Sequence, residues 1–87
     1  MKRKGEIIEQ MLGVSGSIFD NGARIELFGN REALVDGCKG IADYDENGIE
    51  IRLRRGKVKF VGQELSVITF DRNHAQIQGF ITGVEFE

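Results

Sequence analysis

Apolar and polar residues alternate most regularly between Glu46 and Gly62. Ile49, Ile51 and Leu53 alternate with Glu50, Arg52 and Arg54. After Arg55-Gly56, Val58 and Phe60 alternate with Lys57 and Lys59. A period of two over this length predicts two strands, each with one buried face. Gly56 supplies the positive φ that a tight hairpin turn needs. A two-residue loop at Arg55-Gly56 would set Leu53 opposite Val58 and Ile51 opposite Phe60 on the buried face. The outer face would then pair Arg52 with Lys59 and Arg54 with Lys57.

The N-terminal segment has a different period. In residues 5–12, Ile7, Ile8, Met11 and Leu12 fall on one face of a helix and Glu6, Glu9 and Gln10 on the other, with Gly13 as a stop. So short a helix is marginal in water, so its apolar stripe must dock on the sheet, on another subunit or on a membrane surface. Residues 13–22 read as a loop that ends in the turn signal Asp20-Asn21-Gly22. Strands are then predicted from Ala23 to Phe28, Glu32 to Val35 and Gly40 to Tyr44. The turn Asp45-Glu46-Asn47-Gly48 leads into the central hairpin, where Asn-Gly is a strong hairpin signal. Leu65 to Phe70 carries apolar residues on both faces, which predicts a strand covered on both sides. The last strand, Ala75 to Glu87, contains Gly79 and Gly83, and glycine inside a strand marks a bulge or bend.

These elements predict a mainly β fold: one domain over residues 1–87, with helix and loop in 1–22 and strands in 23–87. Its form would be an antiparallel β-sandwich or roll of roughly six to eight short strands with one short N-terminal α-helix. At 87 residues, with 40% hydrophobic and 30% charged content, the chain suits a small globular domain. The net charge of −2 gives no general attraction to nucleic acid or anionic membrane. Cys38 is the only cysteine, so no intramolecular disulfide is available and a structural thiol is expected. No apolar run approaches the ~20 residues of a membrane span. Met-Lys-Arg-Lys opens the chain, but Glu6, Glu9 and Gln10 break the apolar segment that a signal peptide needs. An intracellular, soluble protein is expected.

Little in the chain is arranged for chemistry. His74 is the single histidine, lies in a predicted turn, and is tied by no motif to Ser66 or Cys38. Asp43, Asp45, Glu46 and Glu50 lack the spacing of a calcium loop. No Gly-x-Gly-x-x-Gly opens a helix. The expectation is therefore no catalytic residue, no metal, no cofactor and no enzyme. One feature stands out, the basic outer face formed by Arg52, Arg54, Arg55, Lys57 and Lys59. Like charges facing each other across strands are destabilising, so these should meet either acids of the same chain, Asp43 near Arg52 and Glu85 or Glu87 on the other side, or an anionic partner. Such a partner would be an acidic protein, a lipid headgroup or, least favoured, nucleic acid. A second candidate surface is a subunit contact formed by Ile7, Ile8, Met11 and Leu12 with Phe80 and Thr82 of the last strand. That strand is expected to offer an edge for pairing between chains.

The sequence also resembles the YabP/YqfC family of small sporulation proteins, closest to its YqfC-like members. The matching residues are Arg24-Ile25-Glu26-Leu27-Phe28-Gly29-Asn30, Gly40-Ile41-Ala42-Asp43-Tyr44, Ile49-Glu50-Ile51-Arg52, the Arg55-Gly56 turn and Gly62-x-x-Leu65. The closing segment Ile77-Gln78-Gly79-Phe80-Ile81-Thr82-Gly83-Val84-Glu85-Phe86 matches best. The resemblance implies a mother-cell protein of the cytoplasm, acting at the forespore surface in assembly of the spore envelope or coat. Its implied partners are proteins: further copies of itself or a membrane-associated sporulation protein. It implies no reaction.

Overall fold

The computed structural model describes residues 6–9, 16–20 and 22–86. Among them are eight strands: β1 (Glu6–Glu9), β2 (Gly16–Asp20), β3 (Ala23–Phe28), β4 (Glu32–Asp36), β5 (Cys38–Asp45), β6 (Gly48–Leu53), β7 (Lys57–Asp71) and β8 (His74–Phe86). They form one antiparallel sheet in the order β2-β3-β4-β8-β7-β6-β5, with β1 also paired to β8. The mainly β expectation holds, and no helix occurs among the described residues.

Two N-terminal expectations are corrected. Glu6–Glu9, the centre of the predicted helix, is a strand whose Glu6 faces Phe86 and whose Glu9 faces Gly83. Glu-Ile-Ile-Glu suits a strand, since both apolar residues are β-branched. Pairing here covers an edge of β8 that would otherwise lie open. The remainder of the predicted helix, including Met11 and Leu12, lies outside the described residues. Within the predicted loop, Gly16–Asp20 is a strand, with Ile18 opposite Ile25 and Asp20 opposite Ala23.

The long strands β7 and β8 serve two halves of the sheet. The first part of β8, 74–78, lies between β4 and β7, while its last part, 83–86, lies between β1 and β7. Likewise β7 pairs with β6 only over 57–61. Between the halves the register shifts. Glu64 and Leu65 oppose the single residue Gly79, and Thr82 is an extra residue on β8. These are β-bulges, which bend a strand sharply. The bend folds the sheet over its own inner face, because no helix of the described residues covers that face. Ile25, Val35 and Ile77 of one half and Ile49, Ile51, Val58, Phe60 and Val84 of the other are fully buried in one core.

The bend depends on glycine. A Cβ at Gly62 would collide with the backbone carbonyl of Phe80. One at Gly79 would lie 2.6 Å from the Glu64 carbonyl oxygen, and Gly79 has φ 143°, a conformation that residues with a side chain rarely adopt. Gly79 falls in the closing segment singled out by sequence and Gly62 in the Gly62-x-x-Leu65 match.

The central hairpin forms with its inner face as predicted and its register moved by two residues. Ile49 faces Phe60, Ile51 faces Val58 and Arg52 faces Lys57. The connection therefore runs through 53–56, where the Leu53 N–H donates to the Gly56 carbonyl at 2.9 Å. Leu53 is held from its other side by Cys38 of β5. An even shift leaves every apolar residue facing inward, so the hydrophobic pattern alone could not distinguish the two registers. At the other end of β6, Asp45 and not the Asn-Gly pair organises the turn. Its Oδ1 accepts from the N–H groups of Asn47 (2.7 Å) and Gly48 (2.9 Å). The expectation that Leu65–Phe70 is covered on both sides is also corrected. Leu65 is buried, but Ile68 and Phe70 are 46% and 41% exposed.

Gly62→Ala and Gly79→Ala should each cost more than about 3 kcal/mol, a large part of a small domain's stability. Gly29→Ala, where nothing lies within 4 Å of the added Cβ and φ is +63°, should cost only about 1 kcal/mol. Urea midpoints measure all three. Equal losses would show that the close approach of β7 and β8 does not limit the fold. Phe60→Ala, which empties the centre of the core, should cost about 3–5 kcal/mol.

Candidate interaction surface

Strand register decides how the basic residues are distributed. Lys59 has Glu85 opposite it on β8 and Glu50 opposite it on β6. The Nζ of Lys57 lies 3.6 Å from Oε1 of the same Glu50. An acid therefore separates the two lysines, and Glu85 flanks them as expected. Asp43 does not flank Arg52; it sits opposite Glu50, while Arg52 lies opposite Gly40. Two glycines make room for long side chains to lie flat. The Lys59 stem crosses Gly48, with Cε 3.1 Å from where a Cβ would stand, and the Arg52 guanidinium lies over Gly40. Arg54 and Arg55 belong to the connection, not to the strand face, and the Arg54 stem rests against Gly22. The five basic residues do not form one continuous face.

The subunit contact is rearranged as well. Phe80 and Thr82 point outward and are exposed, but β8 is an interior strand with neighbours on both sides. Its backbone is not an edge for a second chain, which corrects that expectation. Thr82 Oγ1 donates to the Val61 carbonyl at 3.2 Å. Ile7 and Ile8 lie on β1, opposite Glu85 and Val84. Among the described residues, β2 and β5 end the sheet, and β7 loses its strand neighbour beyond Val61 on the β6 side. Tyr44 partly closes that gap: its hydroxyl accepts from the Val67 N–H at 3.1 Å, and the Glu46 carbonyl accepts from Leu65 N–H at 2.9 Å.

The groups considered for chemistry have structural partners. His74 is exposed and its Nδ1 is paired with Asp36, within a cross-strand row Arg24, Asp36, His74, Asp71. Cys38 is fully buried and free. Burial pushes its thiol up, helped by the charge of Asp36, against the pull of its backbone hydrogen bond. The Asp45 carboxylate caps its turn and that of Asp43 accepts from the Tyr44 N–H at 2.9 Å. Among the described residues no three potential metal ligands converge.

Sequence reasoning overlooked the arrangement of charge by ends. The bend gathers two turns. Carbonyls of Asn30 and Arg31 accept from Ile81 and Gly79, and carbonyls of Asn47 and Glu46 accept from Gly62 and Leu65. Asp45, Glu46 and Glu64 are exposed at that end, as are Phe80 (41%), Phe28 (47%) and the cation Arg31. At the opposite end, Gly37 and Cys38 donate to the Asn73 carbonyl and Arg54 meets Gly22. Lys39, Arg54, Arg55 and Arg72 are exposed at that end, with Asp36 and Asp71 as its acids. The length of β6 separates the two ends by about 17 Å. The alternation of turns along β2 to β6 was the available signal, but β7 doubles back at the bend, so the turn at 72–73 falls at the same end as the 53–56 connection.

Fold and surface together define a small β-roll built on one bent antiparallel sheet. A family model for the YabP family matches residues 20–87, most of the chain. The chain belongs to the YabP family, and that membership fits a sporulation-related protein. No curated protein and no solved structure matches it. Among the described residues no helix is long and apolar enough to cross a membrane.

Two outcomes follow from this geometry. Glu50→Lys would place like charges beside both Lys57 and Lys59, and should destabilise by about 0.5–1 kcal/mol in a thermal or urea melt, less at high salt. A neutral effect would mean that the row of alternating charge adds nothing. Native Cys38 should react with a maleimide at least about a hundredfold more slowly than in the urea-unfolded chain, because it is buried and its raised pKa keeps it protonated. The raised thiol pKa also means that its contribution to stability is present below the unfolded pKa and is lost as pH rises through the folded one.

Proposed function

We propose that this chain is a non-enzymatic assembly module of sporulation, working through self-association or protein partners in formation of the spore envelope or coat. The observation that carries the reading is a folded sheet whose half-exposed phenylalanines and incomplete strand edges remain at the surface. Unpaired edges and exposed apolar residues are features that proteins either blunt or use for contact with other chains. The sealed thiol of Cys38 and the Asp36-bound His74 point the same way, since neither is placed as a nucleophile and base. Family membership supports the sporulation setting, and the family resemblance supports the mother-cell cytoplasm and forespore surface as its place. An anionic-ligand module is the weaker reading, because Glu50 and Glu85 interrupt the basic strand face.

Sedimentation equilibrium from micromolar to millimolar concentration, with pull-downs from sporulating cells, tests the proposal. The expected result is reversible self-association or recovery of a specific protein partner. A strict monomer that recovers no partner would sink it. Binding of acidic-lipid vesicles or oligonucleotide at low salt, abolished by Arg54→Gln/Arg55→Gln, would instead favour the anionic-ligand reading.

A further inference from the structure

The two ends of the roll complement each other in charge, and one of them carries apolar surface. At the bend end Phe28 and Phe80 are nearly half exposed, and Asp45, Glu46 and Glu64 are exposed at the same end with Arg31 as a cation there. Among the described residues Glu46 and Glu64 have no ion-pair partner. At the other end Arg54 and Arg55 project from a loop held at its base by the Leu53–Gly56 hydrogen bond, with Lys39 and Arg72 nearby. These four also lack an ion-pair partner among the described residues. Arginine suits the bend end in two ways: its guanidinium pairs with carboxylates, and its plane packs on aromatic rings.

We propose that the basic 53–56 loop of one copy docks on the phenylalanine-and-carboxylate surface at the bend of the next, so that copies join head to tail. This rests on the self-association reading and specifies its geometry. The contact uses two different surfaces, so it is heterologous. Each added copy leaves one basic end and one acidic end free, and such contacts propagate unless rotation closes a ring. A small net charge of −2 keeps overall repulsion between copies low. Each contact is built on exposed charges, so it weakens as salt rises.

Two variants, each with one end neutralised, test the arrangement: Glu46→Gln/Glu64→Gln at the bend and Arg54→Gln/Arg55→Gln at the loop. Thermal melts and circular dichroism establish that both are folded. In sedimentation equilibrium at low salt, wild type should exceed two chains per particle as concentration rises, and should return toward monomer at high salt. Each variant alone should associate at least about tenfold more weakly, since one partner surface is impaired in every contact. Their equimolar mixture should regain wild-type strength but stop at two chains, because only the intact loop of one and the intact bend of the other remain. Wild type that stops at a symmetric pair, or a mixture no stronger than its components, overturns the head-to-tail contact while leaving self-association standing. Wild type that stays monomeric at every concentration overturns this contact too; if it also recovers no partner, the assembly reading falls with it.

Discussion

The close approach of two backbones at the bend of β7 and β8 is the constraint on which the rest of the structure depends. At Gly62 and Gly79 there is no room for a Cβ, and Gly79 also needs a φ that glycine alone adopts readily. The bulges on either side let one long hairpin belong to both halves of the sheet. Without that bend the apolar face of the sheet would stay open to water. With it, Phe60, Ile49 and Ile51 from one half meet Ile25, Val35 and Ile77 from the other in a single core. The principal packing of the domain thus rests on a few backbone contacts at one end.

The bend also arranges the surface. Two turns distant in sequence, near residues 30 and 47, are tied there by backbone hydrogen bonds to the bent stretches of β8 and β7. Their acids and phenylalanines come to one end, while the links at 37, 55 and 72 bring arginine and lysine to the other. Between the ends, the outer face is balanced by register: Glu85, Lys59 and Glu50 alternate across three strands. Acid and base alternate across these middle strands, whereas among the described residues Glu46, Glu64, Arg54 and Arg55 at the two ends have no ion-pair partner. Surface ion pairs contribute little to stability, so the pattern matters more for where a partner can approach than for holding the fold.

The alternation from Ile49 to Phe60, the positive-φ Gly56 and the bend-marking Gly79 were legible in the sequence, because periodicity and glycine report local backbone demands directly. Glu6–Glu9 was misread because four residues of mixed apolar and acidic character satisfy both a helical and an extended pattern. What decided the matter was the open edge of β8, some eighty residues away. The hairpin register was misread by two for a related reason. An even slip keeps the same face inside, and the register is set with neighbouring strands, including the pairing of Leu53 with Cys38 of β5.

The sequence by itself determined that this is a small, mainly β domain, which residues of the central hairpin face inward, and which family it belongs to. Those follow from periodicity, from glycine positions and from the order of short motifs. Tertiary structure alone decided that β8 is interior rather than an edge, that Glu50 separates Lys57 from Lys59, and that acidic and basic turns lie at opposite ends. Each of these depends on which strands become neighbours. That is fixed by long-range pairing around the bend, and no local pattern of residues encodes it.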